Sequence, residues 1–291
     1  MHRQEITSRS LLLSASDDLA PAGTRRRRYR VLTDLLPLRA ALSSALVALD
    51  FDGTLAPISP HPDDARPLAG VHQVLRDVRA TGAALAVVTG RSVASLLRVS
   101  GFDAVPGIVI YGLHGVERWE NGRLRAPAPP AGIHELRLSL PKILTNIAHD
   151  AAIWIEDKEL SLVVHTRLTA EPDRLVEVLR APVAEAAAAA GLEARPGKEV
   201  LEICIPGIDK GTAIRELIRD ETAAVFYAGD DVGDLPAVRE VNAWSGRYGR
   251  PKLAVAISPA GMGPLAGLAD VTVPDPHSLI VLLRQIIGDE A

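Results

Sequence analysis

The chain has 291 residues, 32 Lys and Arg against 36 Asp and Glu, and a formal net charge of -4. With 47% hydrophobic and 23% charged residues it has the balance of one large or two ordinary folded domains, which excludes global disorder. It has no run near the ~18 apolar residues of a membrane span. Its single cysteine, Cys204, excludes an internal disulfide, and an acidic balance with 3% aromatics speaks against nucleic acid as a partner.

Residues 1–40 stand apart. Met1 to Ala20 is Ser-rich, and Leu11-Leu12-Leu13 is too short for the apolar stretch of a signal peptide. The run Arg25-Arg26-Arg27-Arg28 lies on the wrong side of it. The segment reads as a solvated, poorly ordered tail, with a targeting or nucleic-acid arm as the competing reading. The expected compartment is the cytoplasm.

The folded part begins near Ala45. Ala45-Leu46-Val47-Ala48-Leu49-Asp50-Phe51 is a continuous apolar run ending in an acid, the mark of a parallel strand buried on both faces. Leu68, Val71, Val74, Leu75 and Val78 recur at helical spacing, with Pro67 expected in the first turn. Leu85–Val88 is a second buried strand, stopping at Thr89-Gly90-Arg91, and Ile108–Tyr111 a third. Strand alternating with helix predicts a parallel α/β sheet with right-handed crossovers.

The rhythm breaks after Glu117. Asn121-Gly122 signals a hairpin between Trp119 and Leu124, and Pro127-Ala128-Pro129-Pro130 is a breaker. A helix around Ile133–His149, strands at Ile153–Ile155 and Leu160–Val164, and a helix over 171–190 predict an inserted α+β domain at 118–197. The βα rhythm then returns, with strands expected at Val200–Ile205, Val225–Ala228, Leu253–Ile257 and Val271–Val273, and helices at Gly211–Arg219 and Ser278–Ile287. The fold class is therefore α/β, a Rossmann-like parallel-sheet core (41–117 and 198–291) with an inserted α+β domain.

Ligands of open parallel sheets bind beyond the carboxyl ends of the strands. Those ends carry Asp50-Phe51-Asp52-Gly53-Thr54, then Thr89 and Arg91, then Asp209-Lys210-Gly211, then Gly229-Asp230-Asp231 with Asp234. Carboxylates converging at one edge repel unless a cation holds them, and hard oxygen ligands select Mg²⁺. A hydroxyl and a lysine beside such a metal bind phosphoryl oxygens, and an aspartate becomes a usable nucleophile. Taken one at a time, Asp50 and Asp52 could cap a helix and turn, Thr89 could cap, Lys210 could be a surface lysine, and Asp230, Asp231 and Asp234 could counter a helix dipole. A receiver domain joins similar groups but runs to about half this length and lacks the acid two residues after the nucleophile.

These segments, in this order, resemble the four motifs of haloacid-dehalogenase-like phosphatases, from Leu46 to the end of the chain. The resemblance implies two-step phosphoryl transfer. Asp50 attacks phosphorus, and Asp52 protonates the departing sugar oxygen and then deprotonates the water. It places Mg²⁺ on Asp50, the Asp52 backbone carbonyl and Asp230, with Asp234 in support and Asp231 as a further candidate ligand. Thr89 and Lys210, with backbone amides near Asp52, Gly53 and Thr54, would stabilise the transferring oxygens.

An insert between the second and third motifs is where that family carries its substrate-selecting cap. Four stretches resemble trehalose-6-phosphate phosphatases: Gly112-Leu113-His114-Gly115 with Glu117, the run Trp154–Lys158, Ser161–His165 with Arg167, and Gly197-Lys198…Glu202. The resemblance puts sugar-binding residues at Glu156, Lys158 and Glu202, with His114, Gly115 and Arg91 near the phosphosugar. Alternation supports part of this: Leu201, Ile203 and Ile205 share one face, so Glu202 and Cys204 share the other. The bland alternative for Glu156 and Lys158 is a surface ion pair, and His114 and His165 could be structural. The fourth motif departs from the family pattern at Gly233 and Leu235, where Thr and Glu are usual. The expected activity is Mg²⁺-dependent hydrolysis of trehalose 6-phosphate, with a small-molecule sugar phosphate as the partner. Sucrose 6-phosphate or mannosyl-3-phosphoglycerate as substrate, and a catalytically silent phosphosugar-binding regulator, are the alternatives. The oligomeric state is left open, a monomer being compatible with it.

Overall fold

The computed structural model describes residues 35–288 apart from 60, 150, 151 and 198. The Arg-rich run and Lys198 lie outside the described residues.

The first strand, β1 (Ala45–Leu49), is buried at every position, as its unbroken apolar sequence requires. Val47 and Leu49 face one core with Leu85, Val87 and Phe226. Leu46 and Ala48 face a second with Ala86, Val225 and Tyr227. Both faces are thus covered by helices. Val71–Ala80 and Pro276–Ile287 pack on the first, and Lys210–Leu217 with Leu235–Tyr248 on the second. β2 (Ala84–Val88), β3 (Ile108–Gly112), β4 (Glu117–Glu120) and β5 (Arg123–Arg125) extend the sheet on one side of β1. β10 (Ala224–Gly229), β11 (Lys252–Ile257) and β12 (Val271–Val273) extend it on the other. The strands β1, β2, β3, β10, β11 and β12 are parallel, and β4 and β5 antiparallel.

A second sheet holds β6 (Trp154–Asp157), β7 (Leu162–His165), β8 (Glu193–Gly197) and β9 (Val200–Cys204), all antiparallel in the order β6-β7-β9-β8. Helices Ala131–Ile147 and Pro172–Ala189 cover one face, packing Leu136, Leu140, Leu179 and Val183 onto Leu162, Val164, Leu201 and Ile203.

Several expectations shift. The hairpin expected in the insert pairs with β3 and belongs to the first sheet, its turn made by Asn121 and Gly122 at φ 51° and 75°. The strand Val200–Cys204, expected in the core, lies in the second sheet between β7 and β8. Alternation explains this: β9 needs one apolar face, because helices cover one side of its sheet, whereas core strands are apolar on both. The inserted unit therefore runs from Ala131 to Cys204. Pro67 precedes the helix, which starts at Val71 after Gly70. Residues 35–40, expected in the disordered tail, are helical and bury Leu35 and Leu38 in the first core.

Candidate active site

The strand order reverses at β1, with β2 on one side and β10 on the other, and crevices open beyond the carboxyl ends at such switch points. Asp50 follows β1, Thr89 follows β2 and Asp230 follows β10. Pairing of Leu49 with Val87 and with Ala228 puts Thr89 and Asp230 level with each other and one position beyond Asp50.

Lys210 opens the helix after the insert. Asp209 fixes the start, its carboxylate accepting from Thr212 N at 2.9 Å while Thr212 Oγ1 accepts from Asp209 N at 3.1 Å, a reciprocal cap. Buried Lys210 then reaches Asp50 Oδ1 at 2.8 Å and Asp234 Oδ1 at 2.7 Å. Asp234, fully buried, also accepts from Tyr227 Oη at 2.5 Å and from the amides of Asp230 and Asp231 at 3.0 and 3.2 Å. It is thus the organiser of the centre. Two glycines make room: a Cβ on Gly53, at φ 73°, would sit 2.1 Å from Asp230 Oδ2, and one on Gly229 would sit 2.2 Å from Asp234 Cγ.

Burial raises the Asp50 carboxyl well above the usual range, against the pull of Lys210. Burial, with the charges of Asp231 and Asp234, pushes Asp230 up to about 8. Burial would raise Asp234 as well, but Lys210 and Tyr227 outweigh it and hold Asp234 below its ordinary value. Two acids therefore resist ionising together in the absence of a cation. Carboxylate oxygens of Asp50, Asp230 and Asp234 all lie within 4.8 Å of one another. Such a hard-oxygen set fits Mg²⁺. Asp50 and Asp230 face the cavity while Asp234 stands behind them. Asp231 is not in this trio: it is exposed, and its Oδ1 accepts from Gly233 N at 2.8 Å. Leu235, at the position where the resembled motif usually has Glu, packs against the second core.

The cavity, about 730 Å³, lies between these strand ends and the helix-free face of the second sheet. Across that face Glu156, Val163, Glu202 and Arg195 pair in one row. Glu202 Oε2 meets His114 Nε2 at 2.7 Å, and Glu202 Oε1 lies 3.8 Å from Lys158 Nζ. Lys158 donates to Gly90 O at 3.0 Å. Glu156 bonds His165 Nε2 at 2.9 Å, and the His165 ring stacks on Trp154 at 3.7 Å. Glu156, Lys158, Glu202 and His114 are thus brought together with Asp50, Asp52, Thr89, Arg91 and Asp230 around one cavity. Gly53 and Gly115 are not in its wall; Gly115, at φ 126°, packs against Ile208 and Asp209. Thr89 is buried and accepts from Arg91 N at 3.2 Å.

Two residues were not anticipated as functional, Tyr227 and Arg195, and a third, Glu117, was singled out by the resemblance without a role. Tyr227 reads as one more apolar residue of a buried strand, yet its hydroxyl fixes Asp234. Arg195 lies on the unexpected strand β8, lines the cavity and donates to Ile208 O at 2.6 Å. Glu117 caps the helix Val93–Ser100, accepting from Val93 N at 2.6 Å.

Burial would raise Glu202, but His114 and Lys158 outweigh it and hold the carboxyl well below the usual range. A depressed acid contributes stability that is present above its unfolded value, about 4.3, and is lost as pH falls toward the folded one. Melting curves of wild type and Glu202→Gln should therefore be furthest apart near neutrality and converge as the pH drops below about 4. A gap that stays constant through this range would contradict the ion pairing.

Residues 48–258 match the trehalose-phosphatase family model. The chain belongs to that family. The match takes in every acid of the centre and the whole inserted unit. The chain is 33% identical over 207 residues to the trehalose-phosphate phosphatase of Mycobacterium marinum, covering 66% of this chain and 50% of that protein. Two solved structures share the trehalose-phosphatase fold. A trehalose-6-phosphate phosphatase related protein matches with TM-score 0.66 and 24% identity, over 84% of this chain and 97% of its own. The C-terminal domain of the C. albicans trehalose-6-phosphate phosphatase matches with TM-score 0.74 and 19% identity, over 89% of this chain and 96% of its own. The chain spans about half the length of the curated relatives it matches. Among the described residues no helix is long and apolar enough to cross a membrane.

Proposed function

We propose that this chain is a Mg²⁺-dependent phosphatase that hydrolyses trehalose 6-phosphate to trehalose and phosphate. One observation carries the reading: Asp50, Lys210 and Asp230, backed by Asp234, line one wall of the cavity, and Glu156, Lys158 and Glu202 line the opposite wall. Asp50 and Asp230 would hold Mg²⁺, with Asp234 behind them, and the chemistry it supplies when bound is neutralisation of phosphoryl and carboxylate charge. Lys210 orients the Asp50 carboxylate for attack on phosphorus. Lys210 and Thr89 stabilise the phosphoryl oxygens. Asp52, on the cavity wall with its side chain 39% exposed, gives a proton to the departing sugar oxygen and takes one from the water that cleaves the aspartyl-phosphate.

The inserted unit acts as the cap. A disaccharide needs donors and acceptors held in place, and the carboxylate of Glu202 with the ammonium of Lys158 supplies both. Intact Asp50 and Asp52 favour turnover over a silent binding role. Phosphate release from trehalose 6-phosphate should occur with Mg²⁺ and stop with chelator. Binding of that sugar phosphate without release would count against catalysis.

A further inference from the structure

We propose that Arg91 is a positioning residue that holds the carboxylate of Asp52, and not the substrate-binding residue expected from the sequence; the inference rests on the phosphatase reading above. The guanidinium is already engaged. Nε donates to Asp52 Oδ2 at 2.6 Å and Nη2 to Asp52 Oδ1 at 2.7 Å, a two-pronged pairing. The remaining nitrogen, Nη1, donates to Pro62 O at 2.7 Å. The group lies over the Phe51 ring, 5.4 Å from its centroid, and the residue is 8% exposed. Its backbone is pinned as well, N donating to Thr89 Oγ1 at 3.2 Å and O accepting from Leu113 N at 2.8 Å.

Asp52 depends on this arrangement. Among the described residues Arg91 is the one side chain hydrogen-bonded to its carboxylate. Without the fork, the carboxylate could turn about both side-chain torsions, and proton transfer requires it within hydrogen-bond reach of the reacting oxygen. The fork occupies one side of the carboxylate and leaves its other lone pairs for the cavity.

The two steps use that carboxylate in opposite directions. In the first, an Asp50 oxygen bonds to phosphorus, the bond from phosphorus to the sugar oxygen breaks with its electron pair on that oxygen, and Asp52 supplies the proton. In the second, water oxygen bonds to phosphorus, its proton goes to Asp52, and the bond from phosphorus to Asp50 breaks. A leaving group that departs without a proton, such as p-nitrophenolate, needs Asp52 in the second step alone.

Arg91→Lys keeps the charge but cannot make the fork. Its kcat on trehalose 6-phosphate should fall about 100-fold with KM changed by less than about threefold. On p-nitrophenyl phosphate it should release a burst near one equivalent per enzyme, exceeding that of wild type, and then turn over slowly. Unfolded protein gives no burst, so the burst also reports the fold. Arg91→Met in an Asp52→Asn background should add no further loss. A KM raised tenfold or more with kcat retained would make Arg91 a phosphate ligand and overturn the inference, as would the absence of a burst beyond that of wild type. Wild type inactive on both substrates would instead sink the phosphatase reading itself.

Discussion

Asp50→Asn is expected to lower phosphate release by roughly 10⁴-fold or more while shifting the melting temperature by no more than about 3 °C. The amide has the shape of the carboxyl but cannot form the covalent link to phosphorus. The small cost in stability follows from electrostatics. Burial already drives Asp50 toward its neutral form, so a neutral amide exposes no new charge, and Lys210 keeps its contact with Asp234 at 2.7 Å. Phosphate release and thermal melting of the same preparation check both halves. Appreciable residual turnover would remove Asp50 as the nucleophile, and a collapse in melting temperature would contradict the electrostatic account.

Lys210→Met should do the reverse to stability. Lys210, Asp50 and Asp234 are 3%, 6% and 0% exposed at their side chains. Removing one partner of a buried charge network leaves uncompensated charge, typically at a cost of about 3–5 kcal/mol, or roughly 10 °C for a domain of this size. Desolvation alone would lower the Lys210 ammonium, but Asp234 and Asp50 outweigh it and raise it well above the ordinary value, so wild type keeps that charge throughout the working range. In the variant the freed carboxylates are destabilising once ionised. The deficit should therefore shrink as the pH falls and they protonate. Mg²⁺ should shrink it too, since a cation at Asp50 and Asp230 replaces part of the lost charge. Denaturant unfolding at pH 5 and 8, with Mg²⁺ and with chelator, measures this. A deficit independent of both would place the role of Lys210 outside the acid cluster.

The parts of the fold legible in the sequence were those whose burial leaves a pattern. β1, β2, β10 and β11 lie between two helical layers, and continuous runs such as Ala45–Leu49 are what such burial selects. β8 left no such trace. Glu193-Ala-Arg-Pro-Gly197 is polar because one face lines the cavity, and Pro196 is tolerated because the strand is at a sheet edge. β9 was legible as a strand but not as a member of the second sheet, since alternation reports a covered face and not a pairing partner. The contrast between its alternation and the unbroken runs of the core strands was nevertheless a usable signal.

The acids at the centre were legible from type and spacing at strand ends. Of their partners Lys210 was legible in the same way, but the roles of Tyr227 and Arg91 were not. Tyr227 holds Asp234 through a hydroxyl that an apolar run conceals. Arg91 holds Asp52 because β1 and β2 are neighbours, a fact of topology separated by 39 positions in the chain. The His114–Glu202 contact joins the two sheets across 88 positions and depends on how the inserted unit sits over the core.

The central claim is that a Mg²⁺-dependent phosphoryl-transfer centre acts on a disaccharide phosphate chosen by the inserted unit. Phosphate release with Mg²⁺ and with chelator, measured side by side on trehalose 6-phosphate, sucrose 6-phosphate and glucose 6-phosphate, tests it most directly. The account predicts metal-dependent turnover with kcat/KM for trehalose 6-phosphate at least about 100-fold above the other two, or ~2.7 kcal/mol in the transition state. Equal turnover of all three would contradict the assignment of Glu156, Lys158 and Glu202 to the sugar, and turnover undiminished by chelator would contradict the assignment of Asp50 and Asp230 to the metal.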